Sequence, residues 1–272
     1  MNTLNHHPLM QAQIVDAANA PFRLAEIARP APAAGQVLVR IKASGVNPLD
    51  LKIRAGQAAH ARQPLPSVLG MDLAGVVEAL GSGVSRFEVG DEVYGMATGI
   101  GGAQGSLAEY AAVDADLLAL KPDTLTMREA AALPLILITA WEGLVDRAQV
   151  GAGQTVLVHG GAGGVGHIVV QLARARGARV FATVSARQIP IVEGFGATAI
   201  DYRTQGVTDY VAAYTGGAGF DVVYDTVGGA ALDAPSRPRA STAAMLSARW
   251  AGARMRWRRC HPEPTPTPAC SR

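Results

Sequence analysis

The stretch TVLVHGGAGGVGHIVVQLARARG, Thr155 to Gly177, decides the fold. Thr155–His159 is a short β-branched run of the kind that forms a buried strand. Gly161, Gly163 and Gly166 then follow the pattern G-x-G-x-x-G. After them Val165, Ile168, Val169, Leu172 and Ala173 recur at helical spacing and predict an amphipathic helix. In such a loop the first glycine permits the tight turn, the second lets a pyrophosphate reach the backbone, and the third lets helix and strand pack closely. The helix start, with Gly164 and Val165, offers free N–H groups and a positive dipole end to phosphates. The same glycines also suit a turn that binds nothing. A strand before and a helix after supply the context that the dinucleotide motif requires.

Outward from this loop the pattern alternates. Residues 179–184 (RVFATV), 197–201 (ATAID) and 221–225 (DVVYD) read as three further strands with helical stretches between them. That order predicts an α/β architecture with a parallel sheet. The end of the second strand bears on the nucleotide. An acid there would hold ribose hydroxyls, but Thr183-Val184-Ser185-Ala186-Arg187 contains none, and none follows before Glu193. Ser185 and Arg187 suit a 2′-phosphate, which favours NADPH over NADH. Arg187 can equally be a solvated arginine at a helix start.

Upstream, Val37–Ser44 alternates as a half-buried strand and is stopped by Gly45, Asn47 and Pro48. Short β-prone runs cut by Gly81, Gly83 and Gly90 predict a compact, barrel-like β domain. Thr126 and Glu129 form a capping-box pair, and Pro134 separates this turn from a longer helix through Trp141 and Val145.

Composition narrows the function classes. Residues 1–229 hold 13 Arg and 3 Lys against 20 acids, a net charge of −4, while residues 230–272 hold 8 Arg against 2 acids. The basic excess is therefore confined to the last segment and argues weakly for nucleic-acid binding. No apolar run approaches the ~20 residues that span a bilayer, and the N-terminus lacks a basic, apolar leader. The expectation is a cytoplasmic protein with a small-molecule substrate and neither a nucleic-acid nor a membrane partner. Both cysteines, Cys260 and Cys270, lie in the last segment, so a thiolate metal site in the body is excluded.

Taken together, GVNPLDLKIRAG (45–56), VLGMDLAGVVEALGSGVSRFEVGDEVYG (68–95), ITAWEGL (138–144), HGGAGGVG (159–166) and FDVVYDTVGG (220–229) resemble the medium-chain dehydrogenase/reductase superfamily. The resemblance runs from about Met10 to Gly229. It implies a GroES-like β-rich N-terminal domain (10–135), followed by a Rossmann NAD(P)-binding domain (136–232), with substrate and nicotinamide in the cleft between them. Zinc-dependent alcohol dehydrogenases place a Cys, a His and a Cys at positions that correspond here to Asn47, Met71 and Leu135. The resemblance therefore implies no zinc and points to the zinc-free quinone oxidoreductase branch. From it come Asn47 at the nicotinamide end of the site, Thr139 as a cofactor contact and Tyr202 beside the adenosine phosphate. A lysine that relatives place near the 2′-phosphate corresponds here to Ile189. The implied activity is hydride transfer from NADPH to a quinone or an activated alkene or carbonyl. Relatives commonly form homodimers through the Rossmann domain, a surface much of which the missing strands would remove here.

Each of these residues also has a plainer role. Asn47 can shape the turn before Pro48, Thr139 can bond its own helix, and Tyr202 can pack. Asp50 is read as a local ion-pair or hydrogen-bond partner rather than a catalyst, and His159 and His167 as structural.

The resemblance stops after Gly229. Residues 233–272 carry 6 of the 16 prolines and 2 of the 3 tryptophans, a composition expected to be disordered. No strand-like run is read there, so the Rossmann sheet is expected to be incomplete at four strands with an unprotected edge and a tendency to aggregate. A shifted reading frame would account for the change in composition. The alternative function is a truncated, inactive relative that keeps part of the dinucleotide site.

Overall fold

Short β-branched runs and closely spaced glycines build the first unit, which ends at Ile136. The structure, a computed structural model, describes residues 8–228 and the backbone of 244–247 and 257–259. In chain order the first unit comprises β1 (Leu9–Val15), β2 (Phe22–Ala28), β3 (Gln36–Ser44), α1 (Pro48–Arg54), β4 (Ser67–Val68), β5 (Asp72–Leu80), β6 (Glu92–Met96), β7 (Tyr110–Asp114), β8 (Ala119–Leu120) and α2 (Met127–Ala132). Two sheets result, one of order β2-β1-β4 and one of order β7-β3-β5-β6-β8. The five-stranded sheet is antiparallel throughout. Its pairing slips between Leu38 and Val39 and again between Ile41 and Ala43. Such bulges bend a strand, and both Leu38 and Val39 are buried. The simple alternation expected over Val37–Ser44 is to that extent corrected.

One core of this unit gathers Val37, Val39, Leu73, Val77, Phe87, Val93 and Val113. A second gathers Val15, Leu49, Ile53, Leu69, Met71 and Leu135. Each fully buried Val or Leu contributes about 1.5–3 kcal/mol. The expected capping box starts α2: Glu129 N–H donates to Thr126 Oγ1 at 3.3 Å, and Thr126 N–H donates to Glu129 Oε2 at 2.9 Å.

The chain continues through α3 (Pro134–Trp141) into a π-helical turn over Glu142–Arg147. The second unit then alternates β9 (Thr155–His159), α4 (Gly164–Ala175), β10 (Arg179–Val184), α5 (Ile189–Gly194), β11 (Thr198–Asp201), α6 (Val207–Thr215) and β12 (Val222–Asp225). The strands stand in the order β11-β10-β9-β12, all parallel. The strand order therefore reverses between β9 and β12. In open α/β sheets, ligands bind beyond the carboxyl ends of the strands at that point. The buried stripe of α4 is Gly166, Val169, Val170 and Ala173, with Val165, Ile168 and Leu172 at its margin.

The sheet does not end at four strands. The backbone of β13 (Ala244–Ser247) runs parallel to β12, and β14 (Trp257–Arg259) runs antiparallel to β13. This corrects the expectation of a segment without strands and of an unpaired β12. An open strand edge presents a row of unpaired N–H and C=O groups, which an extended segment satisfies whatever its side chains. The expected disorder of 233–272 otherwise lies outside the described residues. Among the described residues, no helix is long and apolar enough to cross a membrane.

Candidate functional site

The turn from β9 into α4 is made by Gly160, whose φ of +71° is a left-handed value suited to glycine. A Cβ there would also lie 2.8 Å from Thr226 Oγ1 and 2.9 Å from Val227 Cγ2. Sequence reasoning assigned this turn to Gly161. Gly161 instead lets the loop lie against β10, since a Cβ on it would fall 2.6 Å from that of Ala182. Both amides donate to the Thr183 carbonyl at 3.2 Å. Gly166 carries the expected close packing, because a Cβ would stand 2.1 Å from the Gly160 carbonyl oxygen. Gly163 is different. It is the N-cap of α4 with an ordinary φ of −79°, and an added Cβ would meet only the Gly160 carbonyl, at 3.2 Å. The first bond of the helix runs from His167 N–H to the Gly163 carbonyl at 3.0 Å. The N–H groups of Gly164, Val165 and Gly166 have no acceptor further back in the helix. Gly163 and Gly164 are exposed, Val165 is half-buried and Gly166 is buried, so the first turn of the helix is open to solvent at Gly163 and Gly164.

The parallel register brings the other expected residues to the same edge of the sheet. Val184 pairs with Asp201, which places Ser185 beside Tyr202. Ser185 is buried, and its hydroxyl bonds Gln188 Oε1 at 2.7 Å. Phosphate recognition by Ser185 therefore requires it to leave Gln188. Arg187 is exposed and, among the described residues, forms no ion pair. Tyr202 is 55 % exposed, with the Arg203 guanidinium 5.7 Å from its ring centroid. Ile189, in the position of the relatives' lysine, packs against the apolar core.

Three residues missed by sequence reasoning tie this edge together. Asp225, fully buried, accepts the N–H groups of Val227 at 2.9 Å and Gly228 at 3.0 Å. Thr226 Oγ1 donates to the His159 carbonyl at 2.7 Å, joining the ends of β12 and β9. His159 Nδ1 lies 3.1 Å from Thr183 Oγ1. Burial holds the His159 imidazole below its ordinary pKa, with the Asp225 charge acting the other way. The third is Tyr224. Its hydroxyl donates to the Thr139 carbonyl at 2.8 Å, and burial pushes the phenol well above its usual pKa. The π-helical turn after Trp141 lengthens the helix repeat at this point. Gly143 makes room for the ring, since a Cβ there would be 2.6 Å from Tyr224 Cε2. Thr139, the expected cofactor contact, is thereby buried and held from β12.

In the first unit Asn47 precedes α1 and is buried. Its N–H donates to Asp50 Oδ2 at 2.8 Å, and Asp50 Oδ1 accepts from Gly70 N–H at 3.2 Å. Asp50 is thus the local hydrogen-bond partner expected of it. Asn47 Nδ2 donates to Asp72 Oδ2 at 2.9 Å, and Leu135 N–H donates to Asp72 Oδ1 at 3.1 Å. Burial raises the pKa of both carboxyls, and that of Asp72 rises to about 6 with Asp50 adding repulsion. Among the described residues no group of three or more His, Cys, Asp and Glu side chains is gathered. At the three positions that the resemblance equates with zinc ligands, Asn47 already donates to Asp72, Met71 is sealed in an apolar cluster and Leu135 has no side-chain donor. This set does not fit the ion.

Comparison with known proteins agrees with this geometry. Residues 33–123 match the alcohol dehydrogenase GroES-like domain family, and residues 164–237 match the zinc-binding dehydrogenase family. The chain is similar to an alcohol dehydrogenase superfamily protein from Novosphingobium aromaticivorans, at 57% identity and a TM-score of 0.85, over 90% of this chain and 74% of that one. It is similar to the quinone oxidoreductase from Coxiella burnetii, at 33% identity and a TM-score of 0.73, over 84% and 73% of the two chains. With the chloroplastic NADPH-dependent alkenal/one oxidoreductase of Arabidopsis thaliana it shares 44% identity over 200 residues, 71% of this chain and 50% of that protein. The chain spans about half the length of such curated relatives. It belongs to the medium-chain dehydrogenase/reductase superfamily, an oxidoreductase family, in its quinone oxidoreductase-like branch.

Proposed function

We propose that this chain binds NADPH and carries the framework of a zinc-independent reductase of quinones or activated alkenes and carbonyls. The observation that carries this reading is the exposed start of α4, where Gly163 leaves space at the backbone and three N–H groups await an acceptor. The names of its relatives, a quinone oxidoreductase and an NADPH-dependent alkenal/one oxidoreductase, support the choice of cofactor and acceptor.

The first-turn amides of α4 would hold the pyrophosphate. Arg187, with Tyr202 alongside, would supply charge and a ring face to the 2′-phosphate. Thr139, braced by Tyr224, would contact the cofactor, and Asn47 would orient the reacting groups. When bound, NADPH supplies a hydride. Zinc independence rests on the donor set at Asn47, Met71 and Leu135, which offers no ligand suited to that metal. A quinone needs no dedicated acid from the protein, because water can protonate its reduced oxygens.

The test is fluorescence titration of the purified chain with NADPH and, separately, NADH, followed by turnover on a quinone and an enone. Saturable binding that favours NADPH, with turnover insensitive to chelators, is expected. Absence of binding would overturn the reading. Binding without turnover would identify a nucleotide-binding relative that has lost catalysis.

A further inference from the structure

Asp72 is a charged residue inside an apolar strand, 1 % exposed, and among the described residues no lysine or arginine pairs with it. Its carboxylate oxygens each take one N–H, from Asn47 Nδ2 at 2.9 Å and from the Leu135 backbone at 3.1 Å. The surroundings offer little relief. Asp50, on α1, adds a second buried carboxylate to the cluster. On the other packed elements, Arg40 pairs with Glu78, Glu92 with Lys121, and Glu129 caps α2, while Lys42 and Arg128 are exposed. Gly45 closes the remaining side, where an added Cβ would be 2.9 Å from that of Asp72. A buried, unpaired carboxylate is costly, and the protein retains this one against a side-chain amide.

An ionised carboxylate only accepts hydrogen bonds. It therefore dictates that the nitrogen of the Asn47 amide faces Asp72 and that the oxygen occupies the other end. We propose that Asp72 is a positioning residue, whose buried carboxylate fixes the orientation of the Asn47 side-chain amide and so sets which end of it meets the substrate. This rests on the reading of Asn47 as part of the reductase site. Protonated Asp72 can donate as well as accept, so the constraint on the amide disappears in the acid form. The switch belongs near pH 6, where the raised pKa of Asp72 lies.

Two measurements test this. In the wild-type protein, the Asn47 side-chain 15N–1H2 resonances should titrate with a midpoint near 6. In turnover, kcat should fall about tenfold per pH unit below that midpoint. Asp72→Asn should remove this acid limb and lower kcat at pH 7.5 by at least about tenfold, with the KM for NADPH unchanged. In an Asn47→Ala background the same substitution should add nothing, because residues that act through one another are non-additive. Asn47 resonances unmoved between pH 5 and 7.5 would overturn the proposal even if Asp72→Asn does not fold. Additive losses in the double variant would overturn it equally. The resonance titration needs no turnover, so its failure is distinct from failure of the reductase reading.

Discussion

Alanine substitution of the loop glycines should separate packing from phosphate approach. At Gly166 the new methyl carbon would start 2.1 Å from the Gly160 carbonyl oxygen and 3.0 Å from the Gly161 Cα. An ordinary carbon–oxygen contact is about 3.3 Å, so backbone must yield by about 1 Å. Gly160 resists, since its own N–H is bonded to Thr183. Overpacking of this kind costs about 1–3 kcal/mol, and the better helix propensity of alanine returns at most about 1 kcal/mol. The 2.1 Å contact is with backbone, so the overpacking cost lies at the upper end of its range and Gly166→Ala should lose about 2 kcal/mol net. Gly163→Ala begins from an allowed φ of −79° and a single 3.2 Å contact. Its loss as an N-cap should stay within about 1 kcal/mol. Binding should show the opposite ranking in its cause: Gly163→Ala, folded as wild type, should weaken NADPH at least about tenfold because its methyl group occupies the approach to the amides. Urea unfolding by circular dichroism and fluorescence titration with NADPH measure the two quantities. Wild-type affinity in Gly163→Ala would refute the assignment of the phosphate to that backbone, and wild-type stability in Gly166→Ala would refute the packing reasoning.

Three other perturbations test separate parts of the structure. Tyr224→Phe removes the bond to the Thr139 carbonyl and should cost about 0.5–1.5 kcal/mol in urea unfolding, with a higher Kd for NADPH. Arg187→Ala should raise the Kd for NADPH about fivefold or more, leave that for NADH unchanged and flatten the salt dependence of NADPH binding. Asp72 should make stability fall with rising pH. Its folded pKa of about 6 exceeds the ordinary 3.8, so between those values the native state holds more protons than the unfolded one. The cost is absent below pH 3.8 and complete above pH 6, where it amounts to about 3 kcal/mol. Between pH 5 and pH 7.5 urea unfolding should show about half of that fall, about 1.4 kcal/mol, in the wild type and a smaller one in Asp72→Asn.

What the sequence reveals and what it hides divide along the range of the interactions. The strands 155–159 and 179–184, the start of α4 and the Thr126–Glu129 cap depend on neighbours within about four residues, so pattern alone locates them. Ser185 and Tyr202 can be placed at one sheet edge because each directly follows a strand of the same parallel set. Asp72 is different. Its partners are 25 and 63 positions away, and nothing local sets it apart except an acid within the apolar run LGMDLAGVV. That anomaly is the signal that sequence reasoning passed over. Tyr224 and Thr139 are 85 positions apart and become partners only because β12 joins β9 on the side opposite β10.

The glycine loop shows the same principle over two adjacent residues. Gly160 and Gly161 are indistinguishable to a pattern that asks for a glycine after the strand, and Gly161 satisfies its spacing. Which of them turns the chain is settled by what lies beside it. Thr226 and Val227, arriving at the end of β12, leave no room for a side chain on Gly160, while Ala182 on β10 leaves none on Gly161. The loop is therefore shaped from both sides of the point where the strand order reverses, by residues 21 to 67 positions downstream. Substitutions at Thr226 or Ala182 should accordingly disturb phosphate binding although neither belongs to the motif. On the proposed reading the glycines would admit the phosphate, and the two flanking strands hold the loop in the shape that would do so.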